Sequence, residues 1–458
     1  MPILTMDRRW WVTLTISIGV YMSTLDASVV NISLPTIIQS LNTNLKAVAW
    51  VVMAYLIVIT GFLLMVGRLA DLFGQKRIYL LGFFLFTVGS AFCGFSPTID
   101  FLIGSRMIQG LGASALIVNG TAIIATVFPE KDRGQALGMI GSVVSVGFLT
   151  GPLLGGFLVE HLGWRSIFFI NLPIGAFGIY LASIVLERSG STGKVQLDLL
   201  GAFLLFIFLT SLLLFLNRVG QVWFFLCLIS FGLFILVEYR SSSPLVDLHV
   251  FRRRLFLSSL GASLLSFWMN ASHTFVVPFF LQNILEFSPS KVGMLIFPVA
   301  LTAMVIAPLG GRFSDRVGVR IPATIGLTLT SLTIFSFTFL KSDVSDYDIL
   351  LRQIILGIGI GLFNPANNSA IISSLPKEKV GLASSFAALS RNLGIVIGVA
   401  FAEMVIAFRL SSTPLETGGR SPSLASIQDV WKLLLIIGLS AIIISWTRRR
   451  QSGVLKRD

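Results

Sequence analysis

The sequence has 458 residues, of which 55% are hydrophobic and only 12% are charged. An ordinary soluble domain carries about a quarter of its residues as Asp, Glu, Lys and Arg, so the composition excludes a soluble globular fold. The net charge of +13 does not indicate a nucleic-acid partner, because the basic residues lie in short connections between apolar runs. Runs of about 20 apolar residues, enough to cross a hydrocarbon core of about 30 Å, recur along the chain. Lipid is therefore the expected solvent.

The apolar runs predict an all-α polytopic membrane protein with fourteen transmembrane helices. The first run follows Arg8 and Arg9 but contains Asp26 and has no small-residue cleavage site, so it is expected to remain as a spanning helix. An even count places both termini on one side, and the excess of Lys and Arg in alternate connections places that side in the cytoplasm. The predicted spans start near Trp11, Ala47, Ile78, Phe101, Gln135, Ser166, Leu199, Val222, Leu255, Val292, Ile321, Ile349, Val380 and Val430.

Two segments of the chain echo each other. The string from Gly67 to Gly74 is repeated from Gly311 to Gly318, and a string beginning at Arg106 is repeated from Arg352. A nearly constant offset indicates a duplicated unit of six spans, an arrangement found in transporters with a mid-membrane site between the halves. The two remaining spans form an insert. The predicted domains are an N-terminal six-helix bundle at 1–188, two inserted helices at 189–250, a C-terminal bundle at 251–447 and a basic cytoplasmic tail at 448–458.

Glycine motifs follow the second span and lie within the fifth. The loop from Gly67 to Arg77 contains Asp71 between glycines that permit a tight turn. In the fifth span, glycines at intervals of four residues form one flat helix face, and a proline favours a kink. A helix of this kind is suited to seal against the opposite half and pivot. The motif residues of the fifth span are Gly147, Gly151, Pro152, Gly155 and Gly156.

These motifs, over essentially the whole chain, resemble the major facilitator superfamily and its branch of fourteen-helix drug:proton antiporters. The strings Leu25–Pro35 in the first span and Gly163–Pro173 at the sixth resemble that branch in particular. The resemblance implies a fold of two six-helix bundles plus two inserted helices, and proton-coupled export. It also implies a cytoplasmic gate motif at Gly67, Asp71, Gly74 and Arg77, with Arg133 a candidate partner for Asp71 and Asp315 the echo in the second half. The alternative for this loop is a charged connection that only fixes topology.

Three charged residues inside apolar runs are candidates for proton coupling. Asp26 and Arg106 both lie in the outer half of the membrane by their positions along oppositely directed spans, so they can meet. The resemblance ties Arg106 to proton coupling, and Asp26 is the predicted proton acceptor; a structural ion pair is the alternative. Glu403 lies well inside the thirteenth span, where a second proton site, a cation-substrate contact and a role in neither remain open.

A mostly apolar central cavity between the halves is expected to bind varied amphipathic ligands. The tenth span contains no acid, which favours neutral or singly charged lipophilic substrates over divalent cations. A histidine among the lining residues is suited to relay protons, and a hydrogen-bonded packing histidine is the alternative. The predicted lining residues are Tyr55, Asn119, Trp268, Asn270, His273, Phe363, Asn364 and Asn367.

The sequence thus predicts a proton-coupled antiporter in the bacterial cytoplasmic membrane that exports small lipophilic or amphipathic compounds. Export of one endogenous metabolite or lipid by the same fold is the alternative. An enzyme is not expected, because the three histidines are scattered and no phosphate-binding loop is present. No cofactor, catalytic residue or metal site is expected. The expected partners are a small lipophilic molecule, protons and membrane lipid, with no nucleic acid and a monomeric state.

Overall fold

The structure, a computed structural model, describes residues 8–128, 130–187, 199–216, 220–240, 250, 252–341, 343–376, 380–412 and 422–448. Within these ranges every regular element is helical, as the composition predicts. Thirteen of the helices are long and apolar enough to cross a membrane. The described part of the chain therefore supports thirteen spans, and the predicted fourteenth rests on the 18-residue helix Leu199–Leu216.

The chain divides into two compact units, Met1–Leu245 and Val246–Asp458. This boundary places the two predicted inserted helices within the first unit. The helices of unit 1 are α1 (Arg8–Ser40), α2 (Leu45–Phe73), α3 (Gln75–Gly94), α4 (Ile99–Val127), α5 (Glu130–Leu162), α6 (Ser166–Phe169), α7 (Asn171–Val185), α8 (Leu199–Leu216) and α9 (Val222–Arg240).

Unit 2 contains six long helices, two of which end in irregular turns. A π-helical segment at Phe280–Ile284 follows α10, and a 3₁₀ turn at Phe337–Phe339 follows α12. The helices are α10 (Arg254–Phe279), α11 (Pro289–Val317), α12 (Arg320–Ser336), α13 (Asp346–Ser373), α14 (Val380–Ser412) and α15 (Leu424–Trp446).

Helix boundaries follow local capping chemistry. Asn44 and Thr98 accept hydrogen bonds from backbone N–H groups at the starts of α2 and α4, which satisfies donors that have no partner inside the helix. Gly74 and Gly318 end α2 and α11 with φ of 93° and 85°, a backbone conformation that glycine adopts at little cost. The same residue type in the same conformation therefore ends corresponding helices of the two units.

The duplicated architecture is visible in the contacts of single glycines. A Cβ atom on Gly112 of α4 would lie 2.7 Å from the carbonyl oxygen of Gly82 on α3. In unit 2, a Cβ atom on Gly359 of α13 would lie 2.8 Å from the carbonyl oxygen of Gly326 on α12. The two units thus contain the same close helix crossing. The offset between corresponding residues is 244 from Gly82 to Gly326 and 247 from Gly112 to Gly359.

The inserted helix α8 packs against α2 of unit 1. The side chain of Phe206 fills the space beside Gly61, and its ring lies 5.0 Å from the ring of Phe62. Phe208 on α8 in turn stacks on Phe231 of α9 at 4.9 Å. Aromatic pairs of this kind stabilise helix packing beyond the contribution of the apolar area that they bury. The first inserted helix therefore joins the second to the α2 face of the bundle.

We expect Gly112→Ala to destabilise the protein and Gly104→Ala to leave its stability unchanged or slightly increased. An added methyl at Gly112 meets backbone atoms of α3, which cannot rotate away, so the helices must separate at a cost of about 1–3 kcal/mol. A Cβ at Gly104 meets nothing within 4 Å and gains helix propensity. Thermal unfolding in detergent checks the pair. Equal melting temperatures for the two variants would contradict the close crossing.

Candidate functional site

Asp26 and Arg106 form an ion pair in the interior of unit 1. Asp26 lies on α1 and Arg106 on α4, and their side chains are 0% and 1% exposed. The Nη1 atom of Arg106 donates a hydrogen bond to Oδ2 of Asp26. A buried ion pair carries a desolvation cost that only good geometry and additional hydrogen bonds can offset. The groups around the pair therefore determine whether it is stable.

Two side-chain amides complete the environment of the Asp26 carboxylate. Gln109 Nε2 donates to Oδ1 over 2.8 Å, and Asn171 Nδ2 donates to the same oxygen over 3.2 Å. Gln109 Nε2 also donates to Ser90 Oγ at 2.7 Å. An ionised carboxylate is only an acceptor, so three N–H donors, from Arg106, Gln109 and Asn171, match its ionised form.

Arg106 has further partners that do not depend on Asp26. Its Nε donates to the carbonyl oxygen of Val51 over 3.1 Å, and its Nη1 also donates to Gln109 Oε1 over 2.6 Å. The guanidinium carbon lies 4.1 Å from the centroid of the Tyr55 ring, within the range of a cation–π contact. The arginine therefore keeps two acceptors and an aromatic ring when the carboxylate is neutralised.

Tyr55 is part of this network and presents no surface to a ligand in this conformation. Its side chain is 2% exposed, and its hydroxyl donates to the carbonyl oxygen of Ser23 over 3.4 Å. The ring stacks on Arg106, which α4 places against the same face of α2. A role for Tyr55 in lining the central cavity stays a prediction.

Sequence reasoning gave no role to Gln109, Ser90 or Asn171, all of which are 0% exposed. A signal for Gln109 was present, because it lies three residues after Arg106 and so on the same face of α4. Asn171 lies in the string that resembles the antiporter branch, at the first residue of α7. Nothing in the sequence around Ser90 marks it, since polar residues of its kind are common in membrane helices.

The contact register between the two units identifies the residues that correspond to the ion pair. A Cβ on Gly110 would lie 2.8 Å from Tyr55 O, and one on Gly357 would lie 2.5 Å from Val299 O. Gly110 and Gly357 are 247 residues apart, and the same offset makes Gln353 the counterpart of Arg106 in the second unit. The sequence echo, which aligned Arg352 with Arg106, is therefore wrong by one residue.

The correction has a physical basis in the surroundings of Arg352. Its guanidinium pairs with Asp348 of its own helix at 3.0 Å, and its side chain is 20% exposed. Gln353, by contrast, is 1% exposed, as Arg106 is. The glycines on the packed face of α13 therefore keep the same spacing as those of α4, whereas the arginine does not keep its position.

The position that corresponds to Asp26 holds an apolar residue. A Cβ on Gly147 would lie 3.3 Å from Leu25 N, and one on Gly394 would lie 3.1 Å from Trp268 N, so Asp26 corresponds to Met269. Glycine contacts also identify the counterparts of the other network residues. For Asn171, the contacts of Gly175 and Gly438 align α7 with α15. The counterparts of Gln109, Ser90 and Asn171 are Leu356, Ile334 and Leu434, all fully or almost fully buried.

Glu403, the other predicted coupling acid, lies within α14 and is 5% exposed. Its burial agrees with the sequence argument that it sits well inside a span. It belongs to unit 2, whereas Asp26, Arg106, Gln109 and Asn171 belong to unit 1.

The predicted cavity residues divide into two groups. Asn119, His273, Phe363 and Asn367 are buried among the helices of their own units. His273, for example, packs against the rings of Phe337 and Trp431 at 4.7 Å and 6.2 Å. Only the remaining three keep partly exposed side chains: Trp268, Asn270 and Asn364.

The predicted gate motif is described only in part. Gly74 forms the turn after α2, and Arg77 is exposed at the start of α3. Asp315 in unit 2 is also exposed. The side chains of Asp71 and Arg133 lie outside the described ones, so the proposed contact between them stays a prediction, and Gly67 packs beside Val118 of α4.

The glycine face of α5 packs against α1 of the same unit. Gly147 and Gly151 lie beside Thr24 and Ser28, and Ser28 Oγ donates to the carbonyl oxygen of Gly147 over 3.3 Å. Gly155 continues the face beside Val29, while Pro152 and Gly156 are buried in the same helix. The motif therefore brings α5 close to the helix that carries Asp26; sealing against the opposite half stays a prediction.

Apolar helices of membrane-spanning length, arranged as a duplicated unit with a buried ion pair, define a polytopic membrane transport protein. Residues 16–399 match the Major Facilitator Superfamily, to which the chain belongs. The chain is 34% identical to the riboflavin transporter RibZ of Clostridioides difficile (strain 630), over 93% of this chain and 94% of that protein.

Other similar proteins include a multidrug resistance protein and a transporter of known structure. The chain is 33% identical to the multidrug resistance protein Stp of Mycobacterium tuberculosis (strain CDC 1551 / Oshkosh), over 89% of this chain and 78% of that protein. The fold is similar to the crystal structure of a bacterial homolog of the human lysosomal transporter Spinster, with a TM-score of 0.70 and 16% identity over 96% and 97% of the two chains. The relatives agree on transport and differ in substrate.

Proposed function

We propose that this protein is a proton-coupled antiporter that exports small lipophilic or amphipathic compounds across a bacterial cytoplasmic membrane by alternating access. The observation that carries the proposal is the Asp26 carboxylate, fully buried and paired with Arg106 on a neighbouring spanning helix. Ionisable groups at membrane depth are costly, so their presence favours a role in transport. Asp26 is the proposed proton acceptor, and Arg106 is the group that responds to its charge.

The hydrogen bonds around Asp26 indicate how protonation acts on the helices. A proton turns a carboxylate oxygen from an acceptor into an O–H donor. On Oδ2 the new donor opposes the N–H of Arg106, and on Oδ1 it opposes those of Gln109 and Asn171. Arg106 then loses its counter-charge but retains Gln109 Oε1, at 2.6 Å from Nη1, and the Val51 carbonyl oxygen. Protonation thus loosens α1 from α4 without leaving the guanidinium wholly unpaired.

The α1–α5 contact provides a route from this change to a larger movement. The α5 glycine face lies directly against the segment of α1 that contains Thr24 and Ser28, on either side of Asp26. A shift of α1 must therefore be followed by α5, in which Pro152 removes one backbone hydrogen bond and lowers the cost of bending. The gate residues Asp71, Arg133 and Asp315 are proposed to respond at the cytoplasmic end.

The second unit argues against a purely structural role for the ion pair. The same helix crossings form in unit 2 with Met269 and Gln353 at the two positions. Replacement of a buried ion pair by apolar residues is often neutral or stabilising. A fold that forms its crossings without the charges in one unit does not require them in the other, which favours a functional reason for keeping them.

The proposed substrate class is drawn from the relatives and from the composition of α11. Similarity to a multidrug resistance protein favours varied lipophilic compounds, and the described part of α11 contains no acid between Pro289 and Gly310 that would favour divalent cations. A second candidate is transport of one specific aromatic metabolite. It is favoured by the similarity to a riboflavin transporter, which covers nearly the full length of both chains.

Transport in proteoliposomes tests the proposal. With the purified protein and an imposed pH gradient, we expect ethidium to move against its gradient, and protons to move in the opposite direction when ethidium is added. A protonophore should abolish both signals. Saturable riboflavin transport that ethidium does not inhibit would support the second candidate instead. If the rates of ethidium and riboflavin transport are the same with and without the pH gradient, proton coupling is excluded from the proposed function.

A further inference from the structure

A cavity of about 900 Å³ lies wholly within unit 2, among α10, α14 and α15. Along α10 it extends from Arg254 to Leu264, about 15 Å at 1.5 Å per residue. Its two charged groups, Arg254 and Arg448, lie where α10 begins and α15 ends, and Ser258, Ser390 and Thr447 are the other polar lining residues. The apolar lining residues are Leu255, Leu257, Leu260, Leu264, Phe386, Leu389, Leu393 and Ile444.

The polar end of the cavity contains a buried arginine with unused donors. Arg448 is 2% exposed, and its Nη2 donates to Asn367 Oδ1 over 2.6 Å. Asn367 is itself fixed by a hydrogen bond from its Nδ2 to the carbonyl oxygen of Ser259, at 3.2 Å. Among the described residues, neither Nε nor Nη1 of Arg448 has a hydrogen-bond partner. Arg448, the first residue of the predicted tail at 448–458, is thus bonded to Asn367 of α13.

The charged residues that line this cavity are both positive. Arg254 lies exposed at the same end, and the lining residues include no acid. Burial lowers the pKa of Arg448 to about 10, so the guanidinium still carries its charge at neutral pH. A buried cation with two unsatisfied N–H groups is costly unless an anion accepts from it. Among the described residues, no acid pairs with this guanidinium or lines the cavity.

The shape of the cavity decides what kind of anion fits. A free phosphate ion would satisfy the two arginines but would leave the leucine wall without an occupant. A molecule with an anionic head and an acyl chain fills both parts. The predicted positive-inside orientation would put this end of unit 2 at the cytoplasmic leaflet, where basic pockets between spanning helices bind anionic head groups.

We propose that this cavity binds one anionic phospholipid of the cytoplasmic leaflet, with its phosphate on Arg448 and Arg254 and one acyl chain along the leucines of α10 and α14. The bound lipid neutralises Arg448 and ties the end of α15 to α10. This site is separate from the Asp26 network, and its occupation requires neither proton coupling nor a particular transported compound.

Lipid-dependent thermal stability tests the site. The purified full-length protein is stripped of lipid in detergent, and its melting temperature is measured with phosphatidylglycerol, with phosphatidylcholine and with inorganic phosphate. We expect phosphatidylglycerol alone to raise the melting temperature and to remain bound in native mass spectrometry. In Arg448→Gln, the phosphatidylglycerol affinity should fall about tenfold or more, because charge-assisted hydrogen bonds to the phosphate are lost.

Two further variants keep the result interpretable. Arg240→Gln removes an exposed arginine at the end of α9, which faces the same side by prediction, and should bind phosphatidylglycerol as the parent does. Leu257→Glu places an acid beside the cavity at a side chain that is 53% exposed, leaves Arg448 in place and should also weaken binding. Equal stabilisation of parent and Arg448→Gln would overturn the proposal. So would equal stabilisation by phosphatidylcholine or by phosphate alone.

Discussion

Replacing Arg106 with glutamine is expected to lower the free energy of unfolding by about 3–5 kcal/mol, the usual cost of leaving one charge of a buried pair unpaired. The Asp26 carboxylate would keep its amide donors from Gln109 and Asn171 but lose the counter-charge of Arg106. A neutral glutamine supplies a hydrogen-bond donor without a charge. Thermal and denaturant unfolding in detergent measure the effect.

The double variant Asp26→Met/Arg106→Gln is expected to recover most of the lost stability. It installs in unit 1 the two residues that occupy the corresponding positions of unit 2, Met269 and Gln353, where they are 0% and 1% exposed. At this site, neither charge of the pair then remains buried without the other. If the double variant is as unstable as Arg106→Gln alone, the correspondence between the two units is wrong at this site.

Arg352→Gln is the matched control for this pair of variants. Its partner Asp348 lies four residues earlier on the same helix, and the two side chains are 20% and 39% exposed. Because water screens such a pair, its loss should change stability by no more than about 1 kcal/mol. A loss as large as that of Arg106→Gln would show that burial does not distinguish the two arginines.

Asp26→Asn is expected to abolish accumulation driven by a pH gradient while leaving downhill exchange of substrate intact. A gradient of one pH unit supplies about 1.4 kcal/mol per proton, so one coupled proton sustains about a tenfold concentration ratio in the parent. Asparagine has the size of aspartate and can accept a hydrogen bond from Arg106, but it cannot exchange a proton. The concentration ratio in vesicles containing Asp26→Asn should therefore approach one.

Glu403→Gln is the comparison that assigns the coupling acid. It removes the other predicted acid, which is also buried but belongs to α14 of unit 2. Inverted vesicles with an imposed pH gradient measure accumulation, and substrate counterflow without a gradient measures exchange. Loss of accumulation in Asp26→Asn alone supports the assignment. Full accumulation in both variants would exclude both acids from coupling.

Sequence reasoning located the ion pair because both of its members are anomalous for their surroundings. A carboxylate and a guanidinium inside apolar runs stand out in any hydropathy profile, and helix direction places them at similar depth. The amides of Gln109 and Asn171 do not stand out, since uncharged polar residues are frequent in membrane helices. Their contribution depends on which helix faces are packed together, and that information is not local in sequence.

The register of the duplication shows the same limit. Matching residue types aligned Arg352 with Arg106, whereas the glycine contacts align Gln353 with it. A shift of one residue rotates a side chain by about 100° around a helix, from a buried face to a partly exposed one. Close packing at Gly110 and Gly357 does not permit such a rotation. The glycine contacts therefore determine which residue of α13 corresponds to Arg106, and a matching residue type does not.

The membrane class, the helical fold, the approximate span positions and the presence of a repeated unit were determined by the sequence alone. These properties depend on hydropathy and on local chemistry, which each segment carries by itself. Only the tertiary structure decided that Tyr55 stacks on Arg106, that Met269 replaces Asp26 in unit 2, and that Arg448 is buried beside an apolar cavity. Each of these depends on contacts between helices far apart in the chain, where one residue of register changes the partner of every buried polar group.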